Sequence, residues 1–219
     1  MTRSDPGVPI SPPISRRFGE AMEFARSKHN GQTRKGTDIP YLGHLLAVAA
    51  LAIEDAASDS ALFERTEEVA IAAVLHDIVE DTFDRGEERV TVEELRGRFG
   101  DEVARIVEGC SDTSEPGPDG QKEAWGIRKE RYLAHLAVAD AATLCVSLAD
   151  KRHNARCIVD DLHAADDPAT VWSRFNAEPE QQAWYYDSVA IAFERHRPGR
   201  RADELRRTVE ELRRYVVDA

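Results

Sequence analysis

The sequence predicts an all-α domain, and three observations carry that expectation. Apolar residues recur at helical spacing along most of the chain, no stretch alternates as a half-buried strand would, and segments rich in proline or glycine separate the stripes. With 219 residues, 42% of them hydrophobic, the chain can bury a sizeable core.

Residues 1–13, with Pro6, Pro9, Pro12 and Pro13, read as a flexible leader. Phe18, Met22, Ala25 and His29 then share one face and predict a first helix whose stripe ends in a histidine. Gly31, Gly36, Pro40 and Gly43 make residues 30–43 a loop. Helix is expected from His44 to Asp55 and from about Glu67 to Val79, where Val69, Ala72, Ala73, His76 and Val79 fall on one side. A polar loop from Asp81 to Arg89 leads to Thr91, which forms the pattern of a capping box with Glu94. Asp101 is the expected cap of a helix striped by Val103, Ile106, Val107 and Cys110. Residues 111–121, rich in Ser, Pro, Gly and Asp, read as disordered or mobile. Helices follow over Trp125–Leu136 and Ala141–Ile158. Val171, Trp172 and Phe175, then Trp184, Tyr185, Val189 and Phe193, anchor two more before Pro198. Leu205, Val209, Leu212 and Val216 stripe a final amphipathic helix.

Charge narrows the classes of function. The formal charge of -12 opposes general binding to a phosphate backbone, so no nucleic-acid partner is expected. The longest apolar run, Leu45 to Ile53, is too short to span a bilayer, and no apolar stretch follows the first arginines as in a secretory signal. The expected address is the cytoplasm, with no membrane partner. Cys110, Cys145 and Cys157 lack C-x-x-C spacing and read as small core residues. Between Arg195 and Arg214, arginines interleave with Glu194, Asp203, Glu204, Glu210 and Glu211, the pattern of paired surface charge. Trp172, Phe175, Trp184 and Tyr185 read as packing residues, with Tyr185 or Tyr186 near enough to reach a pocket. His135, His153, His163 and His196 show no partner pattern and receive no role.

Chemistry concentrates at His76-Asp77, followed by Glu80-Asp81. On one helix, His76 and Glu80 would be i, i+4 neighbours, as would Asp77 and Asp81. Three carboxylates so close repel one another unless solvent or a cation relieves them. The flanking residues Ala70–Leu75, Ile78 and Val79 are apolar, so His76 and Asp77 should be partly buried. One reading is a solvated acidic helix end; the other is half of a metal site. Two distant positions favour the second. His44 stands just before an apolar run, and Asp150 ends another, Leu144–Ala149, with Asn154 one turn on. Two imidazoles and two carboxylates form a mixed N/O set suited to Mn²⁺ or Fe²⁺, and less so to Zn²⁺.

The order of motifs resembles the HD-domain (p)ppGpp hydrolases of the RelA/SpoT type, particularly their small stand-alone versions. The likeness runs from about Phe24 to Phe193. It rests on His29-Asn30-Gly31-Gln32 with Arg34-Lys35, on Pro40-Tyr41 and His44, on Leu75-His76-Asp77-Ile78-Val79-Glu80-Asp81-Thr82, on Phe99-Gly100-Asp101-Glu102-Val103, and on Leu148-Ala149-Asp150-Lys151-Arg152-His153-Asn154. It implies an HD-type helical bundle over residues 14–198, with the helix of residues 199–219 packed on it. It also implies His44, His76, Asp77 and Asp150 as ligands of one Mn²⁺, Glu80 and Asp81 as catalytic carboxylates, and Arg34, Lys35 and Asn154 as nucleotide contacts. The implied reaction removes pyrophosphate from the 3′ position of guanosine tetra- or pentaphosphate. Alternatives are hydrolysis of another nucleotide, such as a dNTP, a nucleoside monophosphate or NADPH, and binding of an alarmone without catalysis. Two positions depart from the pattern: Leu45 stands where proline usually follows the histidine, and Cys110-Ser111-Asp112-Thr113 stands where relatives carry Thr-Lys.

Overall fold

The structure, a computed structural model, describes residues 14–84, 89–111 and 123–217. The expected leader and most of the 111–121 segment lie outside the described residues. Within them the chain is helical, with no strand and one isolated bridge between Thr33 and Pro40.

The N-terminal part comprises α1 (Arg16–Lys28), α2 (Leu42–Ala57), a 3₁₀ turn (Phe63–Arg65), α3 (Thr66–Leu75), α4 (Ile78–Asp84), α5 (Val92–Phe99) and α6 (Asp101–Cys110). α3 is the central element, packed by α1, α2 and α6, and every residue from Val69 to Leu75 is fully buried. That all-round apolarity marks a helix surrounded by others. The C-terminal part comprises α7 (Trp125–Leu136), α8 (Ala141–Ala164), α9 (Pro168–Trp172), α10 (Pro179–His196) and α11 (Arg200–Val217). α8 joins the two parts, its first turns packing on α2 and α3 and its later turns on α10 and α11.

Several boundaries differ from the sequence reading for local reasons. α2 begins at Leu42, before His44, and α8 continues to Ala164, beyond Ile158. α6 is capped by Gly100, at φ 92°, with Asp101 as its first residue; a side chain at residue 100 would strain this left-handed backbone. Thr91 Oγ1 accepts from Glu94 N at 3.1 Å, the Thr91 side of the expected capping box. The polar segment after Asp81 stays helical to Asp84. Trp184, expected as a packing anchor, is 43% exposed.

The consequential difference is a break in the expected Glu67–Val79 helix at His76-Asp77, between α3 and α4. His76 Nδ1 donates to Ala73 O at 2.8 Å, the carbonyl that residue 77 would use in an unbroken helix. Asp81 N still donates to Asp77 O at 2.8 Å, so helix resumes at once. The histidine and aspartate therefore sit at the junction of the two helices, with Glu80 and Asp81 in the first turn of α4.

At the C-terminal end, α11 packs against α8 and α10. Arg200 pairs with Glu204 one turn on at 2.9 Å, as the interleaved charges predict, while Arg206 reaches across to Asp187 at 2.8 Å and Glu194 at 2.9 Å on α10. Buried Asp55 of α2 meets Arg152 of α8 at 3.3 Å and Arg201 of α11 at 2.5 Å, tying both parts together. No helix among the described residues is long and apolar enough to cross a membrane.

Candidate metal centre and the cleft beside it

Four side chains from three places converge. His44 is carried by the first turn of α2, His76 and Asp77 by the junction between α3 and α4, and Asp150 by the middle of α8. His44, His76 and Asp150 are buried, and their nearest donor atoms lie within 4.8 Å of one another. Asp150 Oδ1 is 3.4 Å from His44 Nε2 and 3.6 Å from His76 Nε2. Asp77 Oδ2 is 3.5 Å from His44 Nε2 and 3.0 Å from His76 Nε2. The expected ligand set is thus together in space.

The donors fit a divalent cation. Both imidazole Nε2 atoms are buried without a hydrogen-bond partner of acceptable geometry, a costly state for a polar atom. The Ala73 carbonyl occupies Nδ1 of His76 and turns its Nε2 to the centre, as a partner on the far ring nitrogen orients metal-binding histidines. Two imidazoles and two carboxylates form a hard, borderline N/O set.

Electrostatics point the same way. Burial alone would lower the pKa of His76, but the Asp77 and Asp150 carboxylates outweigh it and hold the imidazole well above its usual range. Burial opposes ionisation of Asp150, yet Lys151, His44 and His76 keep its carboxyl well below the ordinary value. The centre attracts positive charge, which a proton or a cation can supply.

Surrounding groups hold the ligands. Lys151 Nζ donates to Asp150 Oδ2 at 2.6 Å, and Asn154 Nδ2 to Asp150 Oδ1 at 2.5 Å. Tyr41 OH donates to Asp77 Oδ2; burial, followed by the charge of Asp77, holds the phenol pKa up and keeps it a donor. Gln32 Nε2 donates to Asp81 Oδ2 at 2.8 Å, while its Oε1 accepts from His29 Nδ1 at 2.7 Å. The expected nucleotide contact Asn154 therefore also steadies a predicted ligand.

Beside the centre lies a cleft of about 440 Å³. It is lined by the expected Arg34, Lys35, Asn154 and Glu80, and by Arg128, Lys129, Lys151 and Arg174, which the sequence reading did not single out. Six cations face this cleft in a chain whose net charge is -12. Tyr185 and Tyr186 reach it, as the sequence allowed, together with Trp125 and Phe175. The Arg34 loop is pinned by Arg34 N donating to Ile39 O at 2.8 Å and Tyr41 N to Gln32 O at 2.9 Å. Gly36, at φ 71°, lets Arg174 lie against this loop, since a Cβ there would stand 2.6 Å from the arginine side chain.

His153, given no role by its sequence context, is buried beside the centre. Its Nδ1 lies 2.9 Å from His44 Nδ1 and 3.2 Å from Arg34 Nη1. Burial, then the neighbouring His44 and Arg34, lower its pKa to about 3. Within the chain, only the Asp150–Asn154 motif that contains it could have signalled this position.

Comparison with known proteins accords with this fold. A family model described as HD domain matches residues 21–180, and the chain belongs to the HD-domain family. The bifunctional (p)ppGpp synthase/hydrolase SpoT of Escherichia coli K12 is 32% identical over 143 residues, which cover 65% of this chain and 18% of that one. The chain therefore spans less than a fifth of that relative. The guanosine-3′,5′-bis(diphosphate) 3′-pyrophosphohydrolase of Danio rerio is 35% identical over 139 residues, 63% of this chain and 66% of that one. Among solved structures, a metazoan ortholog of SpoT that hydrolyzes ppGpp superposes with a TM-score of 0.63 at 23% identity, covering 91% of this chain and 95% of that one. This second likeness bears on the fold. A Listeria monocytogenes structure gives a TM-score of 0.58 at 27% identity, with coverage of 76% and 96%.

Proposed function

We propose that this chain is a metal-dependent phosphohydrolase that removes the 3′-pyrophosphate from (p)ppGpp, releasing GDP or GTP and pyrophosphate. The observation that carries the reading is the pair of buried, unsatisfied imidazole Nε2 atoms facing Asp77 and Asp150, at the edge of a cationic cleft. The names of the Escherichia coli and Danio rerio relatives support the substrate. The catalytic unit is read as residues 14–198, with residues 199–219 as a packed appendage.

His44, His76, Asp77 and Asp150 would hold the cation, read as Mn²⁺ from the N/O donors, with Fe²⁺ or Zn²⁺ as alternatives. When bound, such an ion acidifies water and offsets phosphate charge. The chain's own residues account for the remaining steps. Arg34 and Lys35 dock phosphate oxygens, the first as a planar fork and the second as a point charge. Lys35 is steadied by Asn176 Oδ1 at 3.1 Å. Glu80, on the cleft wall, and Asp81, held by Gln32, orient the attacking water and accept its proton. The water oxygen bonds to the 3′-attached phosphorus, the P–O3′ bond breaks, and O3′ leaves with a proton. Asn154, which lines the cleft, keeps Asp150 in place.

The test is pyrophosphate release from ppGpp by protein loaded with Mn²⁺, alongside dNTPs, nucleoside monophosphates and NADPH. Rapid release from ppGpp alone is expected. Turnover confined to another nucleotide would reassign the substrate, and tight ppGpp binding with no turnover by metal-loaded protein would make the chain a binding module.

A further inference from the structure

Two hydrogen-bonding groups converge on one buried atom, His153 Nδ1. Arg34 Nη1 approaches it at 3.2 Å and His44 Nδ1 at 2.9 Å. A guanidinium has N–H donors and no acceptor, so the contact with Arg34 requires a lone pair on His153 Nδ1. The proton of the neutral His153 ring then belongs on Nε2, which lies 3.7 Å from Cys157 Sγ. With a lone pair already at His153 Nδ1, a second lone pair at His44 Nδ1 would face it and repel; the short contact is favourable only if His44 Nδ1 carries hydrogen. Neutral His44 is thereby left with its lone pair on Nε2, the atom directed toward Asp77 and Asp150.

We propose that His153 is a positioning residue that fixes the tautomer of His44, presenting the His44 Nε2 lone pair to the metal centre through the same acceptor atom that holds Arg34. This rests on the reading of His44 as a metal ligand. A buried imidazole with one nitrogen restrained by a fixed partner is the usual means of orienting a histidine toward a cation. His153 serves this purpose from α8, within one turn of Asp150, so a single helix carries one ligand and the group that orients another. It also links the cleft to the centre: Arg34, on the cleft wall, and His44 share one acceptor.

The direct test uses metal-free wild-type protein with ¹⁵N-labelled histidine, at slightly alkaline pH, and reads two-bond ¹H–¹⁵N correlations. His153 should show a protonated Nε2 and a bare Nδ1, and His44 a protonated Nδ1; a proton on His153 Nδ1 overturns the proposal. The second test is calorimetric titration with Mn²⁺. His153→Leu, which fills the space without an acceptor, should weaken metal binding by about 10–100-fold. His153→Asn, whose Oδ1 can accept near the place of Nδ1, should retain most of the affinity. Equal affinity in wild type and His153→Leu, or equal losses in both variants, overturns the proposal. Should His153→Leu fail to fold, the tautomers and the His153→Asn affinity decide. Failure of the wild type to bind metal would count against the proposed function, while the tautomer measurement would still judge the His153–His44 bond.

Discussion

The core packed among α1, α2, α3, α6 and the start of α8 is rich in alanine, with Ala21, Ala25, Ala49, Ala52, Ala72, Ala73 and Ala149 buried among Val, Leu and Ile side chains and two phenylalanines. The core among α7, the rest of α8, α10 and α11 is richer in aromatic residues, with Tyr132, Trp172, Tyr185, Tyr186 and Phe193 buried together. Small residues let helix backbones approach closely, so a histidine on α2, another after α3 and an aspartate on α8 can come within a cation's reach. Aromatic side chains, among them Trp125, Phe175, Tyr185 and Tyr186, line the cleft. The candidate metal centre lies against the alanine-rich part, and the cleft beside it is lined in part by aromatic residues of the other. α8 contributes to both: Ala142, Cys145, Val146 and Ala149 face the first core and Leu144 and Leu148 the second, and beyond Ala149 its buried apolar residues belong to the second alone.

The strongest challenge to this division removes a ligand. Asp150→Ala or His76→Ala should abolish stoichiometric metal in purified protein by elemental analysis, with the aromatic core intact by near-UV circular dichroism. A full metal complement in either variant would remove that residue from the set. Next, Glu80→Gln combined with Asp81→Asn should cut turnover by about 10²–10⁴-fold while leaving metal and nucleotide affinity in place. Unchanged turnover would contradict the roles proposed for both carboxylates.

Core variants sharpen the contrast. Phe193→Ala should cost about 3–5 kcal/mol in denaturant unfolding with little loss of metal affinity, because its cavity lies in the aromatic part. Ala72→Leu should cost less, about 1–3 kcal/mol, yet disturb metal binding more, because it forces apart helices that carry ligands. The reverse ranking of metal affinities would break the proposed division.

The smallest effect concerns pH. Asp140 is buried enough to oppose ionisation, but Arg105, the Thr143 amide and Arg65 hold its carboxyl well below the usual range. A depressed folded-state pKa adds stability above the unfolded value and loses it as pH falls from about 4 toward the lower folded-state value. Because this carboxylate is about one-third exposed, the ion pairs are worth about 1 kcal/mol or less. Asp140→Asn should flatten that part of the acid unfolding curve and leave neutral-pH activity nearly unchanged. An unaltered acid limb would show that these pairs contribute nothing to it.

Most helices were legible because helical periodicity is local: Phe18, Met22 and Ala25, or Leu205, Val209 and Leu212, report their own faces. The helix break at His76 was not, since an unbroken apolar stripe continues to Val79 and nothing in it marks that the His76 side chain bonds Ala73 O in place of the next backbone amide. Of the site, His44, His76, Asp77 and Asp150 could be chosen from residue type and motif order. Arg128, Lys129 and Arg174 could not, because a cation on a polar helix face carries no mark of what it will border.

The amino-acid sequence by itself determined the helical class, the identity of the convergent donors and the family to which they belong, all of which depend on residue type and short-range spacing. Tertiary structure alone decided which nitrogen of each histidine faces the centre and that His153 stands between Arg34 and His44, contacts spanning 119 and 109 positions of chain. It likewise decided that the cations gather at one cleft. Such arrangements arise only when the packing of separate helices has set the distances between them.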